Sequence, residues 1–262
     1  MPRFAANLTM LFNEAGFLDR FALAAGEGFQ AVEYLFPYPY EKQQLVDCLG
    51  EQGLVQVLHN LPGGNWAAGE RGIACLPGRE QEFQDGVGKA IEYARALGCP
   101  QVNCLAGIAP AGTPAGVLRS TLIENLRFAA RALDAAGVKL LLEPINDVRD
   151  IPRFFVNRTD QALDLIREAA IGNLYLQADV YHMHVMQEDI LSVLERDVDR
   201  IAHVQIADDP GRHEPGTGTI DFAGVFAQLD RLQYPGWIGC EYRPSTTTAE
   251  SLAWLARARR PR

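Results

Sequence analysis

The amino-acid sequence predicts an α/β fold, namely a single (β/α)8 barrel in one domain over residues 1–262. Apolar stretches of strand length alternate eight times with stretches of helical spacing, and most connections are short. No Pro/Ser-rich linker divides the chain, and no GxGxxG follows the first strand, which disfavours an open, doubly wound sheet. With 262 residues and 48% hydrophobic content, the chain can bury a full core.

The eight predicted strands are apolar runs, and several of them end on a polar side chain. In chain order they cover or lie within residues 4–10, 31–36, 54–59, 101–105, 139–146, 173–182, 201–208 and 236–244. The clearest is KLLLEPIN at 139–146, where branched apolar residues lead directly to a glutamate and a proline. An unpaired buried carboxylate would cost several kcal/mol, so this glutamate needs a cation, a proton or water.

The predicted helices follow the strands one by one, and glycines mark the ends of several. They cover residues 14–27, 41–50, 79–97, 121–136, 160–169, 187–195, 224–232 and 248–258. Gly28, Gly98 and Gly137 directly follow the first, third and fourth of these helices. Strict alternation at this chain length therefore favours one closed barrel.

Composition limits the partners of the chain. A net charge of −9 without a basic tract disfavours nucleic acid and anionic membranes. The first residues, MPRFAANLTMLF, predict a strand and not a signal peptide, and no segment reaches the length of a membrane span. Five cysteines without CxxC spacing are typical of free thiols in a reducing cytoplasm. The expected partner is a small molecule, and a homo-oligomer is one of the states that the sequence allows.

Four metal-capable side chains lie at or near the ends of the last four predicted strands: Glu143, Asp179, Gln205 and Glu241. Because barrel strands end at one face and these strands are neighbours, we expect the four side chains to surround one divalent metal. Three carboxylates and an amide oxygen suit Mg²⁺ or Mn²⁺ better than structural zinc. Such an ion can polarise a carbonyl and an adjacent hydroxyl while a carboxylate moves a proton. The simpler alternative is a set of ordinary strand-end salt bridges.

The segments LLLEPIN, LQADVYHMH, HVQIADDPGRHEPGTGTIDF and GCEYRP resemble the hydroxypyruvate isomerase family of the xylose isomerase-like TIM barrels. The similarity covers nearly the whole chain, and GRHEPGTG is its most specific part. This resemblance implies conversion of hydroxypyruvate to tartronate semialdehyde through an enediol. It also implies that Glu143 and Glu241 are the acid–base pair and contact the metal, with Asp179 and Gln205 completing the coordination.

Four side chains are expected to bind the substrate. His182 lies three residues after Asp179 and can donate a hydrogen bond to a substrate oxygen, and His59 ends the third strand at the same face. A keto acid brings a carboxylate, which an acidic pocket accepts only beside a cation. Arg149 and Arg212 are the arginines best placed for it. For each of the four, a purely structural role is the alternative.

Two loop features have two readings each. Trp66 in PGGNW either packs over the site as a lid or marks a subunit contact. Gly216 and Gly218 either allow a tight loop or cradle a phosphate, although no P-loop lysine accompanies them.

Other functions stay open from the sequence alone. The same chemistry could act on a four-carbon 2-oxo-tetronate, or on a neutral ketose epimerised at C3. A metal-dependent endonuclease is disfavoured because it needs several histidine ligands and a basic groove. This chain is acidic, and it has only five histidines, none of them in a metal-ligand constellation. A non-catalytic barrel that binds a sugar acid is the remaining class, and it would not depend on metal.

Overall fold

The computed structural model describes residues 2–258, and within them eight parallel strands form a closed barrel in the order β1 to β8. The strands are β1 Arg3–Asn7, β2 Ala31–Glu33, β3 Val55–Asn60, β4 Gln101–Cys104, β5 Lys139–Leu142, β6 Leu174–Asp179, β7 Ile201–Ile206 and β8 Trp237–Cys240. Strand β8 pairs with β1 from Arg3↔Trp237 to Ala6↔Cys240, which closes the ring. The predicted barrel is confirmed.

Helices surround the barrel and connect its strands. They are α1 Arg20–Gly26, α2 Lys42–Gln52, α3 Glu80–Leu97, α4 Ala115–Asp134, α5 Thr159–Ala169, α6 Val180–Val185, α7 Ile190–Asp197, α8 Phe222–Arg231, α9 Thr248–Ser251 and α10 Leu255–Ala258. Among the described residues, none of these helices is long and apolar enough to span a membrane.

Most predicted elements match the structure, with differences at their ends. The strands expected over 4–10 and 31–36 end at Asn7 and Glu33. After β1 the chain turns, and the backbone N–H groups of Met10 and Leu11 donate to the carbonyl oxygen of Asn7. The strand expected over 173–182 ends at Asp179, whose side chain caps α6. A short helix therefore replaces the last residues of that predicted strand. Helix α4 begins six residues before the predicted start at 121.

The core lies between the barrel and its helices, while part of the barrel interior is polar. The side chains of β5 are buried from Leu140 to Leu142, as expected for a parallel strand covered on both faces. Inside the barrel, His203 on β7 donates from Nε2 to Glu33 Oε2 at 2.5 Å, and both residues are fully buried. This polar interior lies beneath the ends of the strands, where the site is formed.

Candidate active site

The carboxyl ends of the strands enclose a cavity of about 330 Å³. Its wall combines apolar side chains from the strand ends and loops with carboxylates, amides and three arginines. The predicted residues Glu143, His182, Gln205, Arg212 and Glu241 all line it. A concave cavity of this size with convergent polar groups is typical of a small-molecule pocket.

Glu143 lies directly after β5 and is buried in the wall of the cavity. Its Oε2 accepts a hydrogen bond of 2.8 Å from Asn103 Nδ2 on the neighbouring strand β4. Burial raises the pKa of the Glu143 carboxyl well above its usual range, and the nearby carboxylates of Glu241 and Asp179 raise it further. A carboxyl group in this state takes up a proton readily, as a general base must.

Asp179 ends β6 and also caps helix α6. Its Oδ1 accepts the backbone N–H of Tyr181 at 2.8 Å, which fixes the carboxylate at the helix N-terminus. Its Oδ2 is buried and accepts no hydrogen bond from any described residue. That oxygen lies 3.5 Å from His182 Nε2 and 3.6 Å from Arg212 Nη2. A buried carboxylate oxygen that accepts no hydrogen bond is available as a ligand to a cation.

Glu143, Asp179 and His182 each contribute one potential ligand atom to a group whose atoms lie within 4.8 Å of one another. All three residues are buried. The two carboxylates suit a divalent ion in charge and in donor type. Together with the unpartnered oxygen of Asp179, they show that the residues present fit a metal ion.

The hydrogen bonds of His182 favour a donor role over a ligand role for its ring. Asn146 Oδ1 accepts the backbone N–H of Arg149, so its Nδ2 is the atom that faces His182 Nδ1, at 2.7 Å. His182 Nδ1 must then accept, which places the ring proton on Nε2, toward Asp179. Burial lowers the pKa of His182 to about 4, so the ring is neutral. This arrangement agrees with the predicted hydrogen bond to a substrate oxygen.

Arg212 is the cation already present beside these carboxylates. Its Nη2 donates to Glu241 Oε2 at 2.6 Å, and its Nη1 donates to Asp150 Oδ1 at 3.0 Å. The guanidinium also lies over the Tyr181 ring, 5.0 Å from its centroid. Burial raises the pKa of Glu241 to about 8, although the charge of Arg212 acts in the opposite direction. The structure thus brings Arg212 and Glu241 together as an ion pair.

Gln205 belongs to a hydrogen-bond network that centres on Glu33. Its Nε2 donates to Glu33 Oε1 at 2.8 Å, and its Oε1 accepts from Gln177 Nε2 at 2.6 Å. Asn7 Nδ2 donates to the same Glu33 oxygen at 2.9 Å and lies 3.3 Å from Glu241 Oε1. Glu33 therefore fixes the amide of Gln205 directly and contacts Glu241 through Asn7.

Two predicted substrate ligands lie away from the cavity wall. Strand β3 continues to Asn60, and because side chains alternate, Leu58 and Asn60 line the cavity while His59 does not. The His59 ring is fully buried beside Tyr38, with centroids 6.1 Å apart. Arg149 is half exposed and pairs with Asp209 instead of lining the cavity.

The loop after β7 is organised by a buried carboxylate. Asp208 Oδ2 accepts the backbone N–H groups of Gly216 at 2.8 Å and Gly218 at 2.9 Å, and its Oδ1 accepts that of Ile220. A Cβ at Gly218 would lie 2.2 Å from the carbonyl oxygen of Asp209. The glycines of GRHEPGTG therefore serve the tight loop that carries Arg212.

Sequence reasoning missed several polar residues of this site. They are Asn7, Glu33, Asn103, Asn146, Asp150 and Gln177. The signal for Glu33 is the run AVE, an apolar strand that closes on a carboxylate as KLLLE does. Placing the strand end at residue 36 hid that signal. The amides gave no comparable signal, because their roles depend on contacts between strands that are far apart in sequence.

The comparisons with known proteins identify the family of the chain. The family model for the xylose isomerase-like TIM barrel matches residues 21–258. Hydroxypyruvate isomerase of Escherichia coli strain K12 is 51% identical over 97% of this chain and 98% of its own length. This chain belongs to the xylose isomerase-like TIM barrel family. A 2-oxo-tetronate isomerase of Cupriavidus necator is 48% identical over the same shares.

Among solved structures, a Brucella melitensis protein described as an AP endonuclease of family 2 superposes with a TM-score of 0.95 and 43% identity. The alignment covers 98% of this chain and 99% of that one. An L-ribulose 3-epimerase superposes at 0.76 with 24% identity, which shows only the shared barrel. Membership of this family, with relatives at 51% and 48% identity, confirms the prediction that the chain is an isomerase.

Proposed function

We propose that this isomerase interconverts hydroxypyruvate and tartronate semialdehyde through an enediolate, with Glu143 and Glu241 as the acid–base pair. The observation that carries the proposal is the pair of buried carboxyls with raised pKa values in the wall of one small cavity. One glutamate removes a proton from the hydroxymethyl carbon, and the other delivers a proton to the former carbonyl carbon. The proton of the substrate hydroxyl moves to the former carbonyl oxygen, so the hydroxymethyl carbon becomes the aldehyde. A base whose pKa lies near the operating pH accelerates such a step by about 10²- to 10⁴-fold.

A divalent ion, Mg²⁺ or Mn²⁺, is the proposed cofactor, with Glu143 and Asp179 as its ligands. When bound, such an ion supplies a positive charge that polarises the substrate carbonyl and the neighbouring hydroxyl. Gln205 and Glu241 complete the proposed set only if Gln177 and Arg212 give up their present hydrogen bonds to them. His182 donates from Nε2 to a substrate oxygen, and Asn146 holds the ring in that tautomer.

A four-carbon 2-oxo-tetronate is the alternative substrate, because relatives of both names are similarly close. Both acids present a carbonyl next to a carboxylate, so the same residues serve either one. An endonuclease function, which the description of the Brucella protein suggests for that protein, has less support here. Its substrate is a polyanion, whereas this chain carries a net charge of −9.

The test is deuterium entry from D₂O, followed by NMR, on hydroxypyruvate, a four-carbon 2-oxo acid and a neutral ketose. The expected result is metal-dependent exchange at the hydroxymethyl carbon of hydroxypyruvate, together with aldehyde product. Glu143→Gln and Glu241→Gln should each lose at least about 10²-fold. Glu92→Gln is a matched control, since Glu92 is an exposed residue paired with Lys42 on the outer surface. If only the longer acid exchanged, the four-carbon acid would be the substrate instead of hydroxypyruvate. No exchange on any compound would refute the proposal.

A further inference from the structure

Three arginines line the cavity, and they differ in what they already bind. Arg212 donates to Glu241 and Asp150, so the site's own carboxylates already match its charge. Arg243 is exposed, and its backbone N–H donates to the carbonyl oxygen of Arg212. Arg71 is half buried and has no carboxylate partner among the described residues. A keto acid that enters this acidic site must place its carboxylate beside one of these cations.

Arg71 is held rigidly by its own loop. Its guanidinium carbon lies 4.1 Å from the centroid of the Trp66 ring, a close cation–π contact. Its Nη1 donates to the carbonyl oxygens of Trp66 at 3.1 Å and Glu70 at 2.7 Å. Trp66 in turn packs edge-on against Phe36, with ring centroids 4.9 Å apart. Only Nη1 of the guanidinium has these partners, so Nη2 and Nε keep their N–H groups for a ligand.

The loop also keeps its own carboxylate away from Arg71. Glu70, the preceding residue, pairs with Arg79 through both of its oxygens. Gly72, the following residue, is fixed by pairing with Ala106, and a Cβ there would lie 2.3 Å from the carbonyl oxygen of Leu105. The backbone on both sides of Arg71 is thus anchored, while its charge stays without an acidic partner.

The position of Arg71 in the ring separates it from the three carboxylates proposed for catalysis and metal binding. Arg71 lies in the loop after β3, whereas Glu143, Asp179 and Glu241 follow β5, β6 and β8. Strands β3 and β7 are four positions apart in a ring of eight, so the Arg71 loop faces the Arg212 loop across the mouth. A three- or four-carbon acid can therefore place its reacting carbons near the glutamates and its carboxylate toward Arg71.

We propose that Arg71, stacked on Trp66, binds the carboxylate of the substrate and makes the site selective for hydroxy-keto acids over neutral ketoses. This inference rests on the proposed isomerase function and names the cation that the function needs. A guanidinium edge can take a carboxylate through two parallel N–H donors, which gives orientation as well as charge. Because Trp66 and two carbonyl oxygens already fix the side chain, binding costs little further conformational entropy.

The test compares wild type with Arg71→Gln and Arg71→Lys on hydroxypyruvate, together with inhibition by glycerate and by its neutral counterpart, glycerol. Arg71→Gln should raise both KM for hydroxypyruvate and the inhibition constant of glycerate at least tenfold. Its kcat should stay within threefold of wild type, and the inhibition constant of glycerol should not change. Arg71→Lys keeps the charge but not the paired donors, so it should recover only part of the loss. Arg119→Gln removes the same charge from an exposed ion pair between Arg119 on α4 and Glu168 on α5, and it should behave as wild type.

Several outcomes would overturn the inference. One is an unchanged KM in Arg71→Gln, and another is an equal weakening of glycerate and glycerol. A third is an acid-specific loss in Arg243→Gln that Arg71→Gln does not share. The failure of the proposed function would look different, because wild type would then turn over none of the acids. Even in that case, direct binding of glycerate that is lost in Arg71→Gln would still support the carboxylate site.

Discussion

At the scale of single residues, the site concentrates negative charge that the fold alone would not favour. Glu143, Asp179 and Glu241 are each less than a tenth exposed, and one guanidinium, that of Arg212, lies among them. Burial of like charges is unfavourable unless a cation or a proton compensates. A function explains such a cluster, because residues that serve activity often make a protein less stable than neutral replacements would.

Glu143→Gln should therefore stabilise the metal-free protein while it lowers turnover by at least about 10²-fold. The amide keeps an oxygen that can accept from Asn103, and it removes the cost of keeping this buried carboxyl protonated at a pH at which the unfolded chain has lost the proton. We expect the free energy of unfolding to rise by about 1 to 2 kcal/mol near neutral pH. Urea unfolding with chelator present measures this, and Glu92→Gln serves again as the control. A destabilised Glu143→Gln would show that the carboxylate contributes to the fold and not only to the chemistry.

The sequence predicted residues whose signal lies in one short stretch. Glu143 directly follows strand β5 and Asp179 ends strand β6, and because barrel strands end at one face, the two were predicted to lie together. His59 was assigned to the cavity because the strand was ended one residue early, and one residue reverses the face. The pairing of Arg212 with Glu241 joins residues 29 apart in sequence, and side-chain geometry of that kind has no local signature.

At the scale of elements, the side chain of Glu33 at the end of β2 reaches so close to strand β8 that one position of β8 requires glycine. An added Cβ at Gly239 would lie 2.3 Å from Oε2 and 2.4 Å from Oε1 of Glu33. Glu33 cannot withdraw easily, because His203, Gln205 and Asn7 all donate to it. The absence of a side chain at Gly239 is therefore what allows Glu33 to reach the centre of the barrel.

Gly239→Ala should destabilise the protein and also impair the site. Displacing Glu33 leaves its buried donors without a partner, so we expect a loss of about 1 to 3 kcal/mol. Turnover should fall as well, since Glu33 orients Gln205 and contacts Glu241 through Asn7. Gly88→Ala is the matched control: Gly88 lies exposed within α3 with no atom near its added Cβ. That change should stabilise by about 0.5 to 1 kcal/mol, and equal effects of both variants would contradict the steric explanation.

The loop after β7 should depend on Asp208 in the same manner. Asp208→Ala removes the acceptor for the backbone N–H groups of Asp209, Gly216, Gly218 and Ile220. We expect kcat to fall and trypsin to cleave after Arg212 more readily, because the loop that presents Arg212 loses its anchor. Asp189→Ala, which removes the cap of α7, should lower stability but leave kcat unchanged. Unaltered cleavage and turnover in Asp208→Ala would refute this role.

At the scale of the whole molecule, metal ions and protons compete for the same carboxylates. The stability of the metal-free protein and the stabilisation by metal should therefore depend on pH in opposite directions. Burial holds the pKa of Glu241 at about 8 and that of Glu143 well above its usual range in the metal-free fold. The unfolded chain releases these protons at about pH 4.5, whereas the folded chain still holds them. The metal-free free energy of unfolding should therefore fall as pH rises from about 5 through about 8.

The stabilisation by Mg²⁺ or Mn²⁺ should instead grow over that range, because the ion binds only the deprotonated carboxylates. At a concentration of about a hundred times Kd, the gain is about 2.7 kcal/mol, or roughly 5 to 10 °C in Tm. Thermal unfolding at about pH 6 and about pH 8.5, with metal or with chelator, measures both slopes. Asp179→Asn should remove the metal-dependent gain, whereas Asp160→Asn, an exposed residue paired with Arg196, should keep it. A metal effect that is equal at both pH values would mean that the ion binds away from these carboxylates.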